Sequence, residues 1–141
     1  MQARRAICYI ETRTFAESED GKRTHEDTFG VRLPCRVRTD GDVLTISYTE
    51  RGDACIDTRI EYTKSAVLLT RRGDACFSVC LQKGKPTPAP YSIGAYALDT
   101  VCTLEDYRLE KEPLLLFVAY RMEMDGICRY IELTVREETA P

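Results

Sequence analysis

Seven cysteines, one histidine and two copies of Arg-Gly-Asp-Ala-Cys are the features of this 141-residue chain whose residue types invite chemistry. The cysteines are Cys8, Cys35, Cys55, Cys76, Cys80, Cys102 and Cys128, and only Cys76 and Cys80 are close in sequence. On a strand these two share a face but stand about 13 Å apart, at about 3.3 Å per residue. A single zinc, with Zn–S bonds near ~2.3 Å, cannot take both without breaking the strand. No metal site is therefore expected. His25 lies in the polar stretch KRTHEDTF. A cysteine–histidine nucleophile needs the imidazole beside a thiol, and no spacing brings any cysteine to His25. There is no Gly-x-Ser-x-Gly elbow, phosphate-binding loop or dinucleotide fingerprint. The 23 acidic residues include no spacing that selects a pair for hydrolysis. No catalytic residue and no cofactor is expected.

The odd, dispersed cysteine count argues against a disulfide framework. The first residues, MQARRAICYIETRT, lack the apolar run and small-residue cleavage site of a signal peptide. Together these predict free thiols and a cytoplasmic protein, which also removes the cell-adhesion reading of Arg-Gly-Asp. The net charge of −3 does not favour nucleic acid, and no apolar run approaches the roughly 20 residues of a membrane helix. Arg32, Arg36 and Arg38 share a face opposite Val31, Leu33, Cys35 and Val37, with Arg59 on the same outer surface. Without outward aromatics between them, they read as a solvated outer face.

Most of the chain alternates with period two, the pattern of half-buried antiparallel strands. DVLTISYT places Leu44, Ile46 and Tyr48 on one face; CIDTRIEY places Ile56, Thr58, Ile60 and Tyr62 together; CFSVCLQ does the same for Phe77, Val79 and Leu81. No window supports an amphipathic helix. Asp40-Gly41 and Asp125-Gly126 are two-residue hairpin signals, the latter setting Met124 opposite Ile127. The Pro-rich stretch 83–90 reads as a connection over one end of a sheet. Both RGDAC copies, residues 51–55 and 72–76, fall at hairpin tips at the same end. Pairing Tyr48 with Ile56 and Leu69 with Phe77 demands odd loops centred on Gly52 and Gly73, met by a three-residue loop or a bulge. A disulfide between Cys55 and Cys76 would have to cross an intervening strand, about 9–10 Å at ~4.8 Å per strand, against a limit of about 7 Å.

The expected fold is all-β: one domain over residues 1–141, a single up-and-down antiparallel β-barrel of about eight to ten hairpin-linked strands, closed to hide its edges. Polar residues then fall on the inward parity. Arg129 aligns with Ile127 and Ile131; Glu105 with Val101, Thr103, Tyr107 and Leu109; Arg71 with Val67 and Leu69. Tyr48, Tyr62, Tyr107 and Tyr120 add hydroxyls to the same space. Buried charge is costly unless paired or met by a ligand. An apolar wall with a few convergent polar groups is what a ligand-holding barrel requires. Arg71, Arg129, Glu105, Tyr48, Tyr62, Tyr107 and Tyr120 are thus the candidate ligand-binding residues, for a small, partly apolar, anionic molecule. The alternative is a packed barrel acting through an outer face or a homodimer interface, suggested by the off-parity Leu115, Phe117 and Ala119 of PLLLFVAYRM.

Four segments, LPCRVRTDGDVLTISYTE, RIEYTKSAVLLTRRGDACFSV, YSIGAYALDTVC and LLLFVAYRMEMDGICRYIELTVRE, resemble in that order a bacterial family of unknown function, the YwiB-like family. The resemblance covers residues 33–137 and rests on strand and hairpin order. It implies a calycin-like β-barrel, related in shape to lipocalins, and brings no catalytic residues.

Overall fold

The computed structural model describes residues 2–52 and 54–139. Among these there is no helix. The strands are β1 (Gln2–Glu17), β2 (Arg23–Asp40), β3 (Val43–Arg51), β4 (Cys55–Tyr62), β5 (Val67–Gly73), β6 (Ala75–Leu81), β7 (Thr87–Pro88), β8 (Tyr91–Ile93), β9 (Tyr96–Leu98), β10 (Val101–Lys111), β11 (Leu114–Met124) and β12 (Ile127–Glu137). They form one antiparallel sheet in the order β7-β10-β11-β12-β1-β2-β3-β4-β5-β6-β8-β9. β1 pairs with β12 in mid-sheet, and the sheet curls until β6 and β10 approach each other, a half-barrel of the calycin-like type. The count exceeds the expected eight to ten because β7, β8 and β9 are only two or three residues long.

An odd ring cannot alternate direction all the way round. With nine long strands and every hairpin antiparallel, β6 and β10 run the same way. Their edges accordingly meet at a parallel bridge between Lys83 and Leu104. The Gly84 amide donates to the Leu104 carbonyl there at 3.1 Å. The short strands line this seam, β7 on β10 and the β8–β9 hairpin on β6. The Pro-rich stretch is thus part of the seam.

Inward residues meet in register rows. Val37, Ile46, Ile60, Leu69 and Val79 face one another across β2 to β6, and all are buried. Burial of each aliphatic side chain contributes about 1.5–3 kcal/mol. Leu116, Val135 and Ile10 form a matching row across β11, β12 and β1, and the two rows belong to one continuous core.

The hairpins differ from expectation in instructive ways. Asp125 and Gly126 have φ of 51° and 77°, as a type I′ turn requires, and Met124 faces Ile127. The β2–β3 tip is Gly41-Asp42 instead of Asp40-Gly41, so Val37 faces Ile46 and not Leu44. A slip of two keeps every side chain on its face, because the side-chain period is two. Both RGDAC loops are odd, but each centres one residue later than expected. Tyr48 faces Thr58, and Leu69 faces Val79. Asp53, at the centre of the first loop, lies outside the described residues. The second tip folds against the first: Asp74 accepts a hydrogen bond from the Cys55 amide at 2.7 Å and returns one to the Cys55 carbonyl at 3.2 Å.

A bulge overturns the expected parity of β10. Leu104 pairs with Tyr120 and Asp106 with Ala119, leaving Glu105 as the extra residue. Before it, Cys102 and Leu104 are buried and Val101 and Thr103 point outward; after it, Tyr107 and Leu109 pack on the core. One inserted residue reverses the face of everything on one side of it.

A candidate anion groove where the barrel wall splits

Pro34 opens the wall. Ile7, its partner on β1, accepts a hydrogen bond from the Glu138 amide on the β12 side. A strand residue points its N–H and C=O the same way, so Ile7 turns away from β2 and Pro34 turns away from β1, toward β3. The β2–β3 ladder runs up to Arg36 opposite Ser47 and stops. The next hydrogen-bonded rung would set Pro34 against Thr49 and would need an amide proton that proline lacks. β2 then stays with β1 while β3 follows β4.

The resulting groove has a volume of about 950 Å³. Among the described residues, Arg5, Arg36, Arg51, Arg59 and Arg72 line it, with two carboxylates, Asp57 and Glu61. Leu33, Pro34, Cys35 and Leu68 supply apolar wall, and Ser47, Thr49 and Thr70 supply hydroxyls. Tyr48 and Thr58 reach it from the inner face. Thr58 is 3% exposed, and its Oγ1 has no hydrogen-bond partner among the described residues. Tyr48 stands directly across the ladder, but the two hydroxyls do not meet hydrogen-bond geometry. Burial pushes the Tyr48 hydroxyl above its ordinary pKa, and the Thr58 hydroxyl, close by but outside hydrogen-bond geometry, opposes part of that rise.

Both of these carboxylates are already engaged. Glu61 pairs with Arg59 at 2.7 Å, and Asp57 accepts from the Thr49 hydroxyl at 2.6 Å. Among the described residues, no carboxylate lies within 4.0 Å of the guanidinium of Arg5, Arg36 or Arg72. The outer arginine face is thus not evenly solvated; part of it borders an opening.

The seven candidate residues do not form one site. Arg71 lies on the inner face between Thr58 and Phe77, 3.8 Å from Glu50. Burial raises the pKa of both Tyr48 and Tyr120, and the nearby Arg71 charge opposes that rise at each. The Arg71 charge thus acts on both hydroxyls. Tyr62 and Tyr107 meet each other elsewhere, ring centroids 5.5 Å apart, with the Tyr107 hydroxyl donating to the Lys64 carbonyl at 2.7 Å. Arg129 keeps inward parity but is paired at 2.9 Å with Glu26, which sits at a second bulge in β2.

Glu105 faces outward, correcting its inward placement. Its carboxylate meets Arg23 at 2.8 Å and Arg121 at 3.7 Å. Glu17 joins them, its side chain 6% exposed, taking Arg23 at 2.9 Å and Arg121 at 2.6 Å. Burial alone would raise the Glu17 pKa, but hydrogen bonds from Arg23, Cys128 and Arg121 hold it below the usual carboxylate value. Arg23 also stacks on Tyr130, 3.7 Å from the ring centroid. This cluster ties the β1–β2 hairpin to β10, β11 and β12. All its charges have partners within it, so it reads as a structural clasp.

A family model for a domain of unknown function, DUF1934, matches residues 10–132. The chain belongs to that family. Among solved structures, the YwiB protein of Bacillus subtilis matches with a TM-score of 0.72 at 18% identity, over 96% of this chain and 94% of that one. At that identity the likeness establishes the barrel fold alone. Ail, the attachment invasion locus protein of Yersinia pestis, covers 97% of this chain and 98% of its own, at 8% identity and a TM-score of 0.37. That score is too low to support any argument. The comparison with curated proteins returns no match.

Within a DUF1934 chain of this kind, Pro34, Thr58 and Arg5 were not singled out from sequence. Pro34 carried a signal: a proline inside an alternating stretch marks the place where a ladder must end. Thr58 and Arg5 carried none, because their importance comes from neighbours on other strands.

Proposed function

We propose that this protein is a non-catalytic binding protein of the cytoplasm that takes a small, partly apolar, anionic ligand at the split between β2 and β3. The observation that carries the reading is the groove opened by Pro34. It brings uncompensated arginines to its rim, apolar wall between them and a buried, unpartnered Thr58 hydroxyl to its floor. Ligand sites combine apolar surface with a few convergent polar groups in this way. Of the residues expected from sequence, Tyr48 borders this groove directly and Arg71 lies behind it, opposite Thr58. The cysteines are free thiols, in keeping with a reducing compartment.

The rival, an apolar outer interface on β11, has weaker support. Ala119 is fully buried, and the Arg108 guanidinium covers Phe117 at 5.1 Å from its centroid.

The test is calorimetric titration of the full chain at low salt with octanoate, benzoate, inorganic phosphate and pyrophosphate. Binding of at least one, weakened in Arg36→Ser, is expected. No binding by any of the four would overturn the reading.

A further inference from the structure

We propose that the ligand's anionic group is a phosphoryl dianion, clamped between Arg5 and Arg36 at the rim of the groove; this rests on the groove being the binding site. Arg5 and Arg36 are register partners on β1 and β2. Their rung lies two residues from that of Ile7 and Pro34, so it is also a non-hydrogen-bonded pair. Such pairs have the shorter Cα separation, about 4.5 Å, and bring side chains closest together. Two arginine stems thereby leave the same face of the sheet as neighbours, and among the described residues neither guanidinium has a carboxylate within 4.0 Å. Like charges placed this way oppose one another and destabilise the ladder. A monocarboxylate would offset one of them. A phosphoryl dianion offsets both, and its three oxygens accept from two planar forks at once.

The surroundings extend the match. The same register row continues outward from Arg36 to Ser47, Arg59 and Thr70. Ser47 therefore stands opposite Arg36 on the neighbouring strand, one strand spacing of about 4.8 Å away, and adds a hydroxyl to the same face. Among the described residues, every cation lining the groove is an arginine. Arginine is favoured where planar, bidentate recognition of phosphate matters. Arg72, also without a carboxylate partner among the described residues, stands on β5 as a second cationic point for a ligand with another anionic group.

Phosphoryl chemistry could reach this clamp on a small molecule or along a nucleic-acid strand. The groove favours the small molecule. A phosphodiester carries one charge where the clamp presents two. Among the described residues the one aromatic ring in the lining, Tyr48, is 6% exposed and offers bases no stacking platform.

The full chain, Arg5→Ser, Arg36→Ser and Arg36→Lys are titrated with pyrophosphate, inorganic phosphate, benzoate, octanoate and a thymidine oligonucleotide, with circular dichroism and thermal melting confirming the fold of each. Pyrophosphate is expected to bind best. Affinity should fall at least tenfold in either serine variant and to an intermediate degree in Arg36→Lys, which keeps the charge and loses the fork. Carboxylate binding that is lost in Arg36→Ser, without pyrophosphate binding, would overturn the phosphoryl assignment and leave the groove reading standing. Failure of every ligand would remove the groove reading itself. Oligonucleotide binding with no pyrophosphate binding would assign the clamp to a strand and overturn the small-molecule proposal. Pyrophosphate affinity unchanged in both serine variants would place the anion elsewhere and overturn the clamp.

Discussion

Arg5 and Arg36 stand directly opposite each other across the β1–β2 ladder, and among the described residues neither has a carboxylate within ion-pair reach. A pair of like charges in this position costs stability, by about 0.2–1 kcal/mol. Arg36→Ser is therefore expected to stabilise the unliganded protein by a few tenths of a kcal/mol at low salt. The gain should fade as salt screens the repulsion. Urea denaturation at low and high ionic strength measures this; a loss of about 1 kcal/mol or more would show that Arg36 is held by a partner.

Pro34→Val tests what splits the wall. Valine restores the amide that could bond across to β3 and suits an extended strand. The β2–β3 ladder should lengthen by one rung toward Thr49, the groove should narrow and pyrophosphate affinity should fall. Hydrogen exchange at the restored amide reads the rung directly. An amide that exchanges as fast as one in an open loop would mean that something other than proline holds the strands apart.

The two Arg-Gly-Asp-Ala-Cys copies make opposite demands on their glycines. Gly73 has φ of +137°, and a Cβ there would collide with the Cys55 carbonyl oxygen. A Cβ at Gly52 would meet nothing within 4 Å among the described residues. Gly73→Ala should cost at least about 2 kcal/mol through strain and displacement of the Cys55 backbone. Gly52→Ala should stay within about 0.5 kcal/mol of the parent. Equal melting temperatures for the two variants would contradict this packing of one tip against the other.

Glu17 couples the clasp to pH. Its pKa in the folded chain is held below the unfolded value, so its contribution is fully present above about pH 4.5 and is lost as pH falls through the folded pKa. Glu137, held low first by its hydrogen bond from Arg4, acts in the same direction. Glu17→Gln should be less stable than the parent at pH 7, by about 1–2 kcal/mol because both arginines remain partly solvated. The two denaturation midpoints should converge as pH drops from 5 toward 3. Parallel curves across that range would exclude Glu17 as the titrating group.

Thiol reactivity reads the burial pattern. Cys55, Cys76 and Cys80 are exposed, Cys8, Cys35 and Cys102 are buried, and Cys128 is intermediate. Burial pushes the Cys102 thiol up to about 11. Its hydrogen bond with Cys8, together with burial, raises the Cys35 thiol further. An Ellman titration of the native chain should show three fast equivalents, a slower fourth and three that react only on unfolding. Rapid loss of Cys35 would mean that the groove admits reagent to its floor.

How much of this was legible depended on the range of the interactions involved. The alternation in DVLTISYT and CIDTRIEY determined strands with Ile46 and Ile60 inward, because a half-buried strand has to bury every second residue. Asp125-Gly126 determined its hairpin because few residue pairs accept positive φ at both central positions. Register was less legible. A slip of two, as at Gly41-Asp42, preserves the hydrophobic pattern and so leaves no trace in it.

The bulge at Glu105 was not legible, and with it went the inward placement of that residue. An inserted residue is recognisable only against its partner strand, and β11 lies on the far side of a turn. The groove followed the same rule. Pro34 was visible as a residue without an amide proton, but the strand denied that proton was not. Local sequence was enough to dictate an all-β chain with an apolar face and no catalytic signature, since these follow from period, turn chemistry and spacing. That Arg5 would face Arg36, that Thr58 would lie unpartnered at the floor and that Glu17 would be held between two arginines emerged only with the folded sheet. Those are relations between strands far apart in the chain, set by how the sheet curls and where its ladders stop.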